Sequence, residues 1–160
     1  MMPLTDGKIS YVVDEKKIAE QDFFKHLSIS APYLELPEEF TLEELLGFHF
    51  KFKAKVNSLS YEDMLELMYM KDAKHKQIHY FSSGMKQRLK LGLCFFSEAP
   101  LLLLDEPTSN LDQKGIEWYQ RMIGDFGKEK TIVVCSNDPR EYNFCEHTIH
   151  MDDFKLKASI

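Results

Sequence analysis

Apolar positions along this chain follow two rhythms, and the changes between them divide it into elements. Between residues 41 and 80 they recur every three or four residues. Thr41-Leu42-Glu43-Glu44 has the capping-box form that opens a helix, and Leu45, Leu46, Phe48 and Phe50 continue its stripe. After the polar stretch 53–58, Met64, Leu65, Leu67 and Met68 mark a second helix. Ser82 is a good N-cap for a third, with Met85, Leu89, Leu93 and Phe96 on one face. A fourth covers 113–128, with Ile116, Tyr119, Met122, Ile123 and Phe126 inward, Trp118 at its margin and Gly127 near its C-cap.

The second rhythm is the short uncharged run. Leu101–Leu104, bounded by Pro100 and Asp105, and Thr131–Cys135 read as buried parallel strands. With the helix between them they make a right-handed βαβ unit. Further strands are expected at 8–13 and 27–30, joined by residues 14–26, and a last one at 148–151 after a helical turn at 141–147. Residues 31–40, punctuated by Pro32 and Pro37, read as a loop. The fold class is α/β.

Composition narrows the function classes. A chain of 160 residues is one domain or part of one, and 44% apolar residues suffice for a packed core. A net charge of −6 argues against an electrostatic nucleic-acid binder. Cys94, Cys135 and Cys145 lie in apolar or mixed segments and read as reduced, mostly buried thiols of a cytosolic protein. The first residues lack the basic end and apolar core of a signal peptide, and no apolar run is long enough to span a bilayer. Any membrane role is therefore expected to go through a partner. His75, Lys76 and His79 read as a solvated face, and Cys145, His147 and His150 lack the regular spacing of a metal site.

Candidate chemistry concentrates in residues 81–112. Ser83 and Gly84 are small and leave the N–H groups at a helix start open to a phosphate, although such a turn is also ordinary helix punctuation. Asp105 and Glu106 end a parallel strand, where open α/β sheets bind ligands. Asp105 can hold Mg²⁺, and Glu106 can orient or deprotonate an attacking water. By themselves the two are equally a polar strand end that starts a turn.

In order and spacing together, these pieces resemble the ATP-binding cassette (ABC) ATPases. Phe81-Ser82-Ser83-Gly84-Met85 is similar to their signature motif, with Ser83 in place of the first Gly and Met85 in place of the usual Gln, and Lys86-Gln87-Arg88 continues it. Leu101–Glu106 resembles the Walker B strand with its catalytic Glu, and Ser109-Asn110-Leu111-Asp112 the D-loop. The resemblance runs from Gly7 to Lys157 and is strongest in 81–112. It implies a partial P-loop NTPase fold of the ABC ATPase type, a parallel sheet core with a small helical subdomain. Residues 1–160 would be a single, N-terminally incomplete domain: strands and Q-loop region in 1–40, helical subdomain in 41–80, and signature helix, Walker B, D-loop and switch region in 81–160.

The resemblance further implies the ATP-hydrolysing subunit of an ABC transporter. Such a subunit is cytoplasmic and sits at the inner face of the cell membrane through a permease. It pairs head to tail with a second ABC ATPase subunit, with ATP and Mg²⁺ held between the chains. Asp105 would hold the Mg²⁺ and Glu106 would polarise water. Ser82, Ser83, Gly84 and Met85 would close on the partner's ATP, and Asp112 would communicate across the dimer. Asn137 stands where the family has its switch His, and can donate a hydrogen bond but not carry a proton. Pro32 or Tyr33 falls nearest the Q-loop Gln. The Walker A loop, Gly-x-x-x-x-Gly-Lys-Ser/Thr, is expected upstream of residue 1; Gly124–Lys128 has the wrong spacing and follows a helix. The alternative is a non-catalytic module that lends its signature turn to a complete partner, or an inactive fragment. Without a Walker A strand the 101–104 strand would lose a neighbour, leaving the isolated chain marginal or self-associating, or filling the gap with another of its own segments.

Overall fold

The computed structural model describes residues 6, 7, 10–13 and 15–154. Helix α2, Leu42–Phe52, begins at Thr41 with the capping box complete: Thr41 Oγ1 accepts from Glu44 N, and Glu44 Oε2 accepts from Thr41 N at 2.8 Å. Ser60 and Asp63 form a second such box at the start of α3, Tyr61–Leu67. Helix α4, Ser83–Phe95, is capped by Ser82 Oγ, which accepts from Met85 N at 3.2 Å. Helix α5, Gln113–Phe126, is capped by Asp112.

The core lies where these helices meet the inner face of a sheet. Leu89, Phe95 and Phe96 of α4, Tyr119 and Met122 of α5, Leu46 of α2 and Met64 and Met68 of the α3 segment are all fully buried. Gly92 is required by close packing, because a Cβ there would lie 2.4 Å from Met68 Sδ. Trp118 is not marginal, as its pattern position suggests. It is 2% exposed, and its Nε1 donates to Leu67 O at 2.7 Å, because the helical segment 41–80 closes over that side of α5.

The sheet has the strands β3 (Leu27–Ser30), β4 (Leu101–Asp105) and β5 (Thr131–Cys135), all parallel, with β4 central. Ser28, Ser30, Leu102 and Leu104 point into the core. The alternate positions form an open face: Ile29, Leu103 and Val133 lie in one register row, and Ile29 and Val133 are 42% and 46% exposed. The strands expected to be buried are therefore covered on one face only, and Cys135, expected among the buried thiols, is exposed. Beside β4 no gap is left, which is the expected outcome in which segments of the chain itself flank it. Strands β3 and β5 pair with both of its edges, so among the described residues the outer edges of the sheet belong to β3 and β5.

The two outer strands are treated differently. Lys53 Nζ donates to Leu27 O and to Ser28 Oγ of β3. Next to β5, the Lys130 ammonium turns inward to Phe95 O (3.1 Å) and Ser97 O (2.7 Å), leaving Thr-Ile-Val-Val-Cys uncharged. An uncharged open edge invites association. The chain is expected to self-associate as its concentration rises, and Val133→Lys to shift it toward monomer in sedimentation velocity. A concentration-independent monomer would contradict this.

The ends depart further from expectation. Of the strand expected at 8–13, Tyr11–Val13 forms β1, while Lys8 and Ile9 lie outside the described residues. It pairs antiparallel with β2, Lys16–Ile18, and not with the central sheet. Residues 14–26 are thus more than a connection, and they also carry α1, Phe23–His26. No strand forms at 148–151. Ile149 and Met151 are both 73% exposed there, without a pairing strand among the described residues, and a 3₁₀ turn follows at Met151–Phe154. The expected turn at 141–147 starts earlier, as α6, Pro139–Tyr142, because Asp138 caps it and Pro139 suits its first position. Among the described residues no helix is long and apolar enough to cross a membrane.

One core contact is pH-sensitive. Ser97 donates its single hydroxyl hydrogen to Leu93 O at 2.6 Å, so the 3.1 Å contact with His49 Nε2 requires His49 to be the donor. Burial, aided by nearby Lys53, pushes the His49 pKa down to about 4. The unfolded chain takes up this proton near pH 6.5 and the folded one only near 4. Stability from this group is therefore intact above about pH 6.5 and is lost as pH falls toward 4. Between pH 7 and 5 the loss is on the order of 1–2 kcal/mol. His49→Gln should remove that portion of the acid dependence in urea titrations at the two pH values.

Candidate functional site at the end of the central strand

Strand β4 delivers Asp105, half-buried, to the carboxyl end of the sheet opposite Cys135 of β5. Glu106 extends the ladder by one bond, its N–H donating to Cys135 O at 2.9 Å. Its φ of 41° is left-handed, so the chain turns sharply and its carboxylate stands exposed rather than in apolar packing. Such a conformation costs a non-glycine residue roughly 1–2 kcal/mol. The loop that follows holds it: Ser109 N donates to Glu106 O (3.0 Å), Leu111 N to Thr108 O (2.9 Å) and Ser109 Oγ to Glu106 Oε2 (3.3 Å). Asn110, with φ 65°, is a second left-handed position in the same loop.

Asn137 lies two residues beyond Cys135, at the same end of the sheet, and is exposed. Asp105, Glu106 and Asn137 are thus gathered on one rim. Asp112 faces the other way along the chain: its Oδ1 accepts from Gly115 N at 2.8 Å and caps α5. At the mouth of α4, the N–H groups of Ser83 and Gly84 stand outside the helical ladder. Gly84 is needed because the loop comes close; an added Cβ would lie 3.0 Å from Asn110 O. Met85 is half-buried and packs on the core. Lys86 is not a free cation, since it pairs with Glu38, which also contacts His79 at 3.2 Å. Lys86 first and His79 second hold the Glu38 carboxyl below the usual carboxylate range.

Loop 107–112 is therefore a shared wall between the carboxylate rim and the helix mouth. Two residues bind it in a way not foreseen from the sequence, where Gln87 only continues the signature-like motif and Glu141 only opens a helical turn. Gln87, 2% exposed, donates from Nε2 to Pro107 O at 2.7 Å. Glu141, 3% exposed, accepts at Oε1 from Thr108 N at 2.7 Å and from Thr108 Oγ1. No local pattern marks these contacts, because each is made to a residue 20 or 33 positions away. At the Q-loop position Pro32 and Tyr33 are exposed, and Lys90 Nζ donates to Ala31 O and Pro32 O at 3.2 and 3.0 Å.

Residues 2–109 match the family model described as ABC transporter. The chain belongs to this family. It is 31% identical over 102 residues to the uncharacterized ABC transporter ATP-binding protein YcbN of Bacillus subtilis, an alignment covering 62% of this chain and 33% of that protein. To the bacitracin transport ATP-binding protein BcrA of Bacillus licheniformis it is 34% identical over 91 residues, covering 57% and 28%. A solved ATP-binding subunit of an ABC transporter superposes with a TM-score of 0.63 at 22% identity, over 77% of this chain and 54% of that one. The chain thus spans about a third or less of these two curated relatives, and the last likeness concerns the fold alone.

ABC membership implies nucleotide binding, generally with Mg²⁺. The residues fit such a group. Asp105 offers carboxylate oxygen, the donor type Mg²⁺ prefers, and Ser83 and Gly84 offer free N–H groups suited to phosphate. Among the described residues no cluster of three or more His, Cys, Asp or Glu could hold a metal by itself. Asp105 would therefore share the ion with phosphate and water, as is usual for Mg²⁺.

Proposed function

We propose that this chain is part of the ATP-hydrolysing subunit of an ABC transporter, and that its rim and helix mouth serve two nucleotides in a head-to-tail pair. The observation carrying this reading is the gathering of Asp105, Glu106 and Asn137 at one sheet end, with Glu106 turned outward by its left-handed backbone. Asp105 holds Mg²⁺, directly or through water. Glu106, exposed and acceptor-only when ionised, orients the attacking water and takes its proton. Asn137 donates a hydrogen bond toward the terminal phosphate. Ser82, Ser83, Gly84 and Met85 close over the partner subunit's nucleotide, and Asp112 carries the state of one site to the other. The nucleotide supplies the phosphoryl group and the phosphate oxygens that complete the metal shell.

The reading extends to organisation. Residues 1–160 act as one domain, with 41–80 as its helical subdomain, and the protein works at the cytoplasmic face of a membrane through a permease. Support for a role in transport comes from the name of the bacitracin transport relative. The test is binding of a fluorescent ATP analogue with and without Mg²⁺. Asp105→Asn is expected to weaken Mg²⁺-dependent binding about tenfold or more. Binding indifferent to both Mg²⁺ and Asp105 would overturn the reading.

A further inference from the structure

Two buried polar side chains, Gln87 in the continuation of the signature-like motif and Glu141 beyond Asn137, grip neighbouring residues of the same loop from opposite directions. Gln87 reaches out of α4, one turn beyond the helix mouth, and its Nε2 donates to Pro107 O at 2.7 Å. Glu141 reaches out of α6, four residues after Asn137, and receives both the N–H and the hydroxyl of Thr108. Glu141 is itself anchored, because its backbone oxygen accepts the hydroxyl of the fully buried Tyr119 at 2.8 Å.

We infer that Gln87 and Glu141 are positioning residues that lock loop 107–112 to both the signature helix and the switch segment, so that displacement of either is felt at Glu106. The physical reason is the absence of slack. Pro107 and Thr108 are buried, and the loop is held between two left-handed residues, Glu106 and Asn110. Buried polar groups cannot exchange these bonds for water without losing them outright. A shift of α6 therefore pulls Thr108, and through Ser109 the Glu106 turn. A shift of α4 acts through Pro107 and through the close approach of Asn110 O to Gly84. Neither side chain is assigned to the reacting atoms. Their effect on turnover rests on the ATPase reading, whereas their grip on the loop does not.

The experiment compares Glu141→Ala, Glu141→Gln and Gln87→Ala by backbone amide NMR and hydrogen exchange on the 160-residue chain. In Glu141→Ala, protection of the Thr108 amide should fall at least about tenfold, and the amides of Gly84 and Asn137 should shift as well. Glu141→Gln keeps an acceptor oxygen and should restore both, and it controls for misfolding of the alanine variant. Gln87→Ala combined with Glu141→Ala should disturb Glu106 by an amount that differs from the sum of the two. Unchanged Thr108 protection in Glu141→Ala overturns the proposal. So does a change confined to Thr108, or a glutamine variant as disturbed as the alanine one. In turnover assays Glu141→Ala should lower kcat with the KM for ATP unchanged, and Glu141→Gln should recover it. Absence of ATP binding or turnover in the wild-type chain speaks only to the ATPase reading, and the amide measurements decide the clamp.

Discussion

Replacing Glu106 with glutamine is expected to lower Mg–ATP turnover about 10²–10⁴-fold while leaving nucleotide affinity within a few-fold of wild type. The amide keeps the shape of the carboxylate and one acceptor oxygen, so the left-handed turn and the bond from Ser109 survive. It cannot accept a proton, so only the chemical step suffers. Single-turnover hydrolysis and equilibrium binding, measured on the same samples, separate the two effects. If the chain is instead a non-catalytic partner of a complete subunit, turnover of the mixed assembly should be insensitive to Glu106 and sensitive to Ser83 and Gly84. Asn137 sharpens the same test. No imidazole stands at that position, so the rate should show no titration assignable to it.

The second large effect concerns stability. Leu104→Ala is expected to cost about 2–5 kcal/mol in urea unfolding, since Leu104 is 1% exposed against the core helices. Leu103, its neighbour, points to the open face and lies between Ile29 and Val133. Leu103→Ala should cost less, roughly 1 kcal/mol, because water already reaches that face. The pair is a direct measurement of how the sheet is covered in solution. Equal losses at both positions would mean that something packs on the open face, for which a second copy of the chain is the first candidate to examine by sedimentation.

Helices were the most legible part of the sequence, for a local reason. The Thr41 box, the Ser82 cap and the stripe through Leu89, Leu93 and Phe96 each depend on residues within one or two turns, and each is present as read. Strand existence was legible at 27–30, 101–105 and 131–135, since uncharged runs between turn residues have few alternatives. Pairing was not. Strand β1 left the central sheet for β2, and among the described residues the 148–151 stretch pairs with no strand. A strand is completed by another segment, and nothing in a local run names that segment.

The site divides along the same line. The order of small turn, leucine strand, acidic pair and polar loop is carried by residues contiguous in 81–112, and from it the nucleotide-handling family could be recognised. Sequence alone also determined the absence of an imidazole at Asn137. Only the tertiary structure decided that Trp118 is core, that the sheet is open on one face with β4 at its centre, and that Gln87 and Glu141 close on Pro107 and Thr108. The reason is distance along the chain. Hydrogen bonds within a turn are written in the spacing of a few residues, whereas a buried carboxylate meeting a loop 33 residues away exists only once the intervening helix and strand have packed.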